Sequence, residues 1–233
     1  MRTFQLSDTP ANIVKVYPKA SDIFKKEKID FCCGGNQPLN IVLDKKNRKI
    51  DGEELIRTIN YSYQAWIVAG NQELNWDNVR TSELIDYILS HHHQYLYEEL
   101  TPLSQFVTKI NRVHGTQHPQ LQMLEKLYHQ FKMEIESHMI EEENDLFPLI
   151  LDYEKAAKQS VKEQLLQLQE VMIDDHQYVG GLLQQMNEIT NNYQLPDDAC
   201  NSFRITYARL IELEDRTYKH IHLENSILFE SIA

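Results

Sequence analysis

The sequence predicts an all-α protein in which a small helical N-terminal domain precedes an up-down-up-down four-helix bundle. The chain has only seven glycines and seven prolines in 233 residues, and this scarcity favours long helices. From Thr81 onward, four long segments repeat apolar residues with the period of an amphipathic helix. Short connections between such helices make antiparallel neighbours, whereas a helical solenoid would need more repeats.

The four predicted bundle helices are bounded by residues that start or stop helices. Proline is favoured in the first turn of a helix, and serine and aspartate are favoured as N-caps. Glycine or asparagine commonly follows the last turn. The predicted bounds are Thr81 to about Val113, Pro119 to about Asp152, Ser160 to Asn191-Asn192, and Asp197-Asp198 onward.

The chain divides into three predicted parts. Residues 1–60 hold short segments broken by Pro18, Gly34-Gly35 and Gly52, which predict the small helical domain. Residues 61–78 are predicted to form a linker. Its aromatic residues, such as Trp66, indicate that it docks onto a protein surface and is not a flexible linker. Residues 79–233 predict the bundle.

Composition and charge restrict the function. A net charge of −12 repels phosphate backbones and anionic lipid, so we expect no nucleic-acid partner and no membrane partner. No stretch approaches the roughly 18 apolar residues of a membrane span, and the segment from Met1 to Leu6 lacks signal-peptide order. These features predict a cytoplasmic protein. Three cysteines cannot form a disulfide framework for a chain of this size, which leaves thiol or metal chemistry.

Ionisable residues interrupt the apolar seams of all four bundle helices at similar depth. The pattern His-x3-Glu-x3-Leu-Phe occurs twice, beginning at His138 and at His220. His93 and His176 lie on the seams of the other two helices and precede those motifs by 45 and 44 residues (138 − 93 and 220 − 176). The two halves therefore look like duplicated helical hairpins whose polar groups share one layer.

This layer has the composition of a two-metal site. Burying several ionisable side chains costs free energy unless they pair, stay hydrated or bind metal. Imidazole and carboxylate without thiolate suit iron, manganese, zinc or nickel, and facing bundle helices are an established place for di-iron sites. We expect two iron ions per chain with an oxo or hydroxo bridge. The predicted ligands are His93, His138, Glu142, His176, His220 and Glu224.

An alternative interpretation of the same layer is a buried network of His-Glu salt bridges with no metal. Glu134 and Asp175 lie near the predicted ligands along the chain and are candidates for a supporting or proton-transfer role, although a solvated surface position is also open to them. Glu143 is assigned to the wet face of its helix. His222 is expected to be exposed, and Cys200 is expected in the core.

Cys32 and Cys33 stand in the segment Asp-Phe-Cys-Cys-Gly-Gly, residues 30–35. The glycines allow a tight backbone, and the N-terminus of a helix after Pro38 would lower the pKa of a nearby thiol. We therefore interpret Cys32 and Cys33 as redox or iron-transfer thiols, with iron, a second subunit or a client protein as candidate partners. The alternative is two small buried apolar residues at a helix end.

These motifs together resemble the RIC family, for repair of iron centres, of the ScdA and YtfE type. The segment of residues 30–35 is similar to the family's N-terminal signature, and residues 138–142 and 220–225 are similar to its hemerythrin-like half. The resemblance covers nearly the whole chain. It implies a hemerythrin-like di-iron protein of the cytosol, induced by oxidative or nitrosative stress, that restores damaged iron-sulfur clusters by supplying iron, and it implies a homodimer. It also implies the same six metal ligands.

Two other functions remain open at this point. A nitric oxide or peroxide-processing di-iron enzyme would use an open metal position as its reaction site. A hemerythrin-like oxygen or redox sensor would signal through the small domain. We expect a repair or iron-donor protein more than a turnover enzyme, with damaged iron-sulfur proteins or a cluster scaffold as its partners.

Overall fold

A computed structural model describes residues 2–45, 50–73, 76 and 79–232. Within these ranges the chain forms helices and turns and contains no β-strand, which confirms the predicted all-α class. Contacts divide the chain into two units: residues 1–80 with 221–231, and residues 81–220 with 232–233. Among the described helices, none combines the length and apolar character that crossing a bilayer requires.

The first unit contains short helices with well-defined starts. The Thr9 side chain accepts a hydrogen bond from the Asn12 amide, and Asp51 caps the helix that starts at Gly52 by accepting from the amides of residues 53 and 54. The helices of this unit are α1 (Pro10–Val16), α2 (Ala20–Lys26), α3 (Leu39–Lys45) and α4 (Gly52–Val68).

Aromatic side chains form the core of the first unit around α4. Tyr63 is buried, and its ring lies 5.2 Å from the ring of Phe4 and 5.6 Å from that of Tyr17, between centroids. Asn60 on the same helix hydrogen-bonds both the amide and the carbonyl of Phe4, at 2.8 and 2.9 Å. Residues 61–68 of the predicted linker, 61–78, belong to α4, and its residues 74, 75, 77 and 78 lie outside the described residues.

The four bundle helices are longer than any in the first unit, and three of them contain a five-residue π-helical turn. In the first two, this turn joins two α-helices, whereas in the fourth it follows the α-helix. Their segments are α5 (Thr81–Ile88), π1 (Leu89–His93) and α6 (Gln94–His114); α7 (Gln120–Glu141), π2 (Glu142–Leu146) and α8 (Phe147–Ala156); α9 (Gln159–Ile189); and α10 (Asn201–Leu223) and π3 (Glu224–Leu228).

The helix bounds agree with the sequence prediction to within a few residues. The second bundle helix continues past Asp152 to Ala156, where Ala157 takes a left-handed conformation with φ of 44°. The fourth starts at Asn201, three residues after Asp198, whose carboxylate pairs with His118 Nε2 at 3.0 Å.

Side-chain pairs between α6, α7, α9 and α10 show that sequential helices run antiparallel. Between α6 and α7, Asn111 pairs with Glu125, and Tyr128 donates to the carbonyl of Leu100. Between α7 and α9, Gln130 pairs with Tyr178, and His138 meets Asp175. Between α9 and α10, Asn187 donates to Glu214, and the Tyr218 hydroxyl donates to the carbonyl of Gly180. As residue numbers fall on one helix, they rise on its neighbour, which confirms the up-down-up-down topology.

Replacing Phe131 with alanine should destabilise the bundle strongly. Its side chain has no solvent exposure in the middle of α7, so truncation leaves a cavity that costs about 3–5 kcal/mol. Met133 lies on the same helix with 62% exposure, and Met133→Ala should change the free energy of unfolding by less than about 0.5 kcal/mol. Urea unfolding of both variants, at equal metal loading, measures the difference. Equal losses in the two variants would contradict the placement of the core.

Candidate metal centre

Each π-helical turn of the bundle carries one predicted metal ligand at its end. His93 is the last residue of π1, whereas Glu142 and Glu224 are the first residues of π2 and π3. The turns close with hydrogen bonds five residues apart, such as the Phe229 amide to the Glu224 carbonyl at 2.8 Å. Single π turns inside α-helices are rare and occur frequently at functional sites. The position of the π turns therefore marks this layer as a candidate functional site, independently of which side chains it contains.

Glu142 lies at the centre of the buried imidazoles. Its side chain has no solvent exposure, and its two carboxylate oxygens lie 3.3 Å from His93 Nε2 and 3.3 Å from His138 Nε2. His220 Nε2 is 3.9 Å from the same carboxylate. All six predicted ligands are buried, none more than 2% exposed. The structure thus brings together the side chains that the sequence placed in one layer.

The six side chains form two groups that share their carboxylates. His93 and His220 belong to one group, His138 and His176 belong to the other, and Glu142 and Glu224 belong to both. Within each group, the nitrogen and oxygen atoms lie within 4.8 Å of one another. Glu224 follows His220 by one helical turn on the last bundle helix. Each group offers two imidazoles and two carboxylates, which is a donor set for one cation. Because the groups share both carboxylates, two cations held in this way would be adjacent.

The spacing of the donor atoms fits cation binding. His138 Nε2 and His176 Nε2 lie 2.9 Å apart. Two nitrogens that are each about 2.1 Å from one metal ion, at a ligand angle of about 90°, are about 3.0 Å apart. The imidazole nitrogens and the carboxylate oxygens therefore need little movement to bind a cation.

Two carboxylates outside the layer contact the imidazoles, and that of Glu143 does so through a hydrogen bond. Glu143 Oε1 lies 2.8 Å from His93 Nδ1, and Asp175 Oδ2 lies 3.5 Å from His138 Nδ1. The hydrogen bond with Glu143 fixes the tautomer and the ring orientation of His93, which leaves its Nε2 for a metal, whereas Asp175 lies at ion-pair distance from His138. Asp175 contacts one of the ligands, as the sequence suggested. For Glu134, the described contacts include none with the six side chains.

Glu143 is the functional residue that the sequence interpretation missed, because helical periodicity assigned it to the wet face. Its side chain is 33% exposed, and Tyr97 also donates a hydrogen bond to Glu143 Oε1 at 3.2 Å. Burial, together with the charge of Glu143 and this hydrogen bond, raises the pKa of Tyr97 to about 12. Tyr97 therefore keeps its proton at neutral pH and steadies the carboxylate that orients His93.

The environments of His222 and Cys200 are opposite to those expected. His222 is 5% exposed and its Nδ1 lies 3.2 Å from the carbonyl of Phe31. Burial lowers the pKa of His222 to about 4, so it is neutral at physiological pH and donates to that carbonyl. Cys200 is exposed, since it precedes the late start of α10.

The cysteine loop of residues 30–35 is organised by Asp30. Its carboxylate accepts hydrogen bonds from the amides of Cys32, Cys33 and Gly34, at 2.9, 3.0 and 2.8 Å. Gly35 makes this turn possible, because a Cβ at that position would lie 2.5 Å from the carbonyl oxygen of Phe31.

The two thiols of this loop lie together, and Cys32 is not activated as the sequence suggested. Their sulfur atoms are 3.6 Å apart, and neither forms a disulfide. The hydrogen bond with Cys33, then burial, then the negative charges of Cys33 and Asp30 raise the pKa of Cys32 well above its usual value. The expected lowering of the thiol pKa is therefore wrong for Cys32, because its near neighbours are acidic groups.

An antiparallel bundle with paired His-x3-Glu motifs in its interior defines a hemerythrin-like cation-binding domain. The chain matches the family model of the hemerythrin HHE cation binding domain over residues 84–232. Residues 6–63 match ScdA_N, a domain of unknown function. Both matches follow the order in which the two motif groups occur along the chain.

Curated relatives resemble the chain over nearly its whole length. The iron-sulfur cluster repair protein ScdA of Staphylococcus haemolyticus is 38% identical over 226 residues, which cover 96% of each chain. The protein of that name from Staphylococcus epidermidis is 35% identical, covering 97% of this chain and 98% of its own. The iron-sulfur cluster repair protein YtfE of Escherichia coli is 33% identical over 212 residues, or 91% and 90% of the two chains. The chain therefore belongs to the ScdA and YtfE family, which confirms the resemblance to RIC proteins.

Replacing Glu143 with glutamine should weaken metal binding without unfolding the bundle. The change removes the charge that orients His93, and loss of such a partner typically lowers metal affinity about 10–100-fold. Glu141→Gln is the matched control, because Glu141 is exposed on the same helix. Competition with a metal chelator measures the affinities of both variants. Equal affinity in Glu143→Gln and the unmodified chain would remove Glu143 from the site.

Proposed function

We propose that this protein repairs iron-sulfur clusters damaged by oxidative or nitrosative stress, with a di-iron site in the bundle as its source of iron. The observation that carries the proposal is the convergence of four imidazoles and two shared carboxylates in one buried layer. Relatives at 33–38% identity over at least nine-tenths of the chain are named iron-sulfur cluster repair proteins. The release of iron to a client is our own extension of these findings.

The proposed occupancy is two iron ions per chain. His93 and His220 would hold one ion, His138 and His176 the other, and Glu142 and Glu224 would reach both. When bound, iron supplies redox chemistry and an exchangeable cation at this position. Four nitrogens and two shared carboxylates leave part of each coordination shell for small exogenous ligands.

The residues around the layer orient the donors and link them to solvent. Glu143 and Asp175, 33% and 42% exposed, each contact a buried imidazole. They are polar positions between the buried donors and bulk water, and are suited to pass protons as a cation enters or leaves. The buried ring of Phe147 stacks on that of His93 at 5.7 Å between centroids and adds an apolar contact beside this imidazole.

The proposal also includes a location and partners. Damaged iron-sulfur proteins or a cluster scaffold would receive the iron, and Cys32 and Cys33 would serve as redox or iron-transfer thiols on the client side. A cytoplasmic location fits these thiols, because glutathione and thioredoxin keep cysteines reduced there. We also propose a homodimer, which light scattering of the purified protein tests.

Removing a metal ligand should lower bound iron. His138→Ala and Glu224→Ala each delete a donor from the buried layer, so we expect a loss of affinity greater than the roughly 100-fold seen when an orienting partner is lost. His129→Ala is the control, because this histidine lies on the same helix as His138 with a 46% exposed side chain. Elemental analysis of anaerobically purified protein gives iron per chain, near two in the unmodified protein and the control. Unchanged iron in both ligand variants would refute the assignment.

Cys32→Ser should separate iron storage from repair. The bundle ligands are all histidine and glutamate, so bundle iron should stay at its unmodified level. Reactivation of an iron-sulfur enzyme inactivated by nitric oxide should fall, whereas exposed Cys200 provides the control variant Cys200→Ser with full reactivation. If Cys32→Ser repairs clusters at the unmodified rate, the thiol has no part in the function. If the iron-loaded unmodified chain fails to reactivate the enzyme, the repair function is wrong.

A further inference from the structure

We propose that Asp30, Cys32 and Cys33 form a second metal site, in the first unit, for one divalent cation of the iron(II) or zinc class. The ligand atoms are one carboxylate oxygen and the two sulfur atoms, which lie within 4.8 Å of one another. Thiolate with carboxylate is a softer donor set than the histidines and glutamates of the bundle. This inference goes beyond the proposed function, because binding of the cation does not depend on cluster repair.

The distances between the donor atoms match those expected around a single tetrahedral ion. The two sulfur atoms are 3.6 Å apart, and Cys32 Sγ is 3.5 Å from Asp30 Oδ1. Two sulfur atoms at about 2.3 Å from a tetrahedral ion are about 3.8 Å apart, and sulfur and oxygen at about 2.3 and 2.1 Å are about 3.6 Å apart. Both distances therefore agree with a shared ion to within a few tenths of an ångström.

The loop is held in this arrangement by contacts that do not involve sulfur. The amides of Cys32 and Cys33 donate to Asp30 Oδ1, and the Gly34 amide donates to Oδ2. The Asn225 side chain donates to the carbonyl of Cys32 at 3.0 Å. Hydrogen bonds that fix a carboxylate ligand raise metal affinity, because less freedom is lost when the ion binds. The site is thus preorganised by its backbone.

One side of the site is accessible from water. Asp30 is exposed and Cys33 is half-buried, whereas Cys32 is buried. An ion bound by these three residues can keep a water molecule or take up an exogenous thiolate as a fourth ligand. Each thiol releases its proton to solvent as its sulfur binds the ion. Three protein ligands with one open position suit exchange of the ion more than a closed structural site does.

Cobalt(II) tests the site, because thiolate-to-cobalt charge transfer absorbs in the near ultraviolet and the bundle layer contains no thiolate. The full-length reduced chain, titrated anaerobically with cobalt(II), should develop this band to saturation at one thiolate-bound ion per chain. Cys32→Ser and Cys33→Ser should abolish the band. Asp30→Asn should weaken the apparent affinity at least about tenfold. Cys200→Ser should match the unmodified chain.

Alkylation gives a second measurement with an internal control. Zinc should slow the reaction of Cys32 and Cys33 with iodoacetamide, as quantified by peptide mass spectrometry, and leave the reaction of exposed Cys200 unchanged. Far-ultraviolet circular dichroism and bundle iron content show that each variant is folded. The proposal is overturned if the reduced chain gives no thiolate band, if the band survives in Cys32→Ser, or if Asp30→Asn binds cobalt as tightly as the unmodified chain does. None of these measurements depends on cluster repair. Failure of the proposed second metal site is therefore distinguishable from failure of the proposed repair function.

Discussion

Burial of two carboxylates among four imidazoles is the constraint on which the bundle depends. Glu142 and Glu224 have no solvent exposure, and a buried carboxylate costs several kcal/mol unless charge and hydrogen bonds compensate for it. Imidazole nitrogens 3.3 Å from Glu142 give this carboxylate polar neighbours within the core. The apolar seams above and below the layer provide the hydrophobic stabilisation of the bundle.

The sequence predicts the bundle and the clustering of the six candidate ligands well, because both depend on repetition. Helical periodicity repeats over four long segments, and the motif beginning at His138 occurs again at His220. The π turns could not be predicted, because five residues are too few to change a period that is averaged over a whole helix. Glu143 was missed for the same reason, since it lies inside π2, where the rotation per residue differs from that of an α-helix.

Other differences arise from contacts between residues far apart in the sequence. The burial of His222 depends on the carbonyl of Phe31, and no local pattern around His222 indicates that partner. The helical continuation through Tyr63 likewise depends on packing against Phe4 and Tyr17. Propensity and periodicity describe a residue's own segment, so tertiary contacts of this kind are outside their reach.

The composition of the first unit has a consequence for how the chain folds. Asn225 holds the carbonyl of Cys32, and Glu230 lies 3.2 Å from Lys15 Nζ, although each pair is separated by about two hundred positions. Residues 221–231 are synthesised after the whole of residues 81–220. During translation, the N-terminal helices therefore emerge first but lack part of their own packing surface until the last bundle helix has left the ribosome. Such non-local closure is slow compared with local helix pairing, so we expect the cysteine loop to be among the later parts of the chain to reach its final structure.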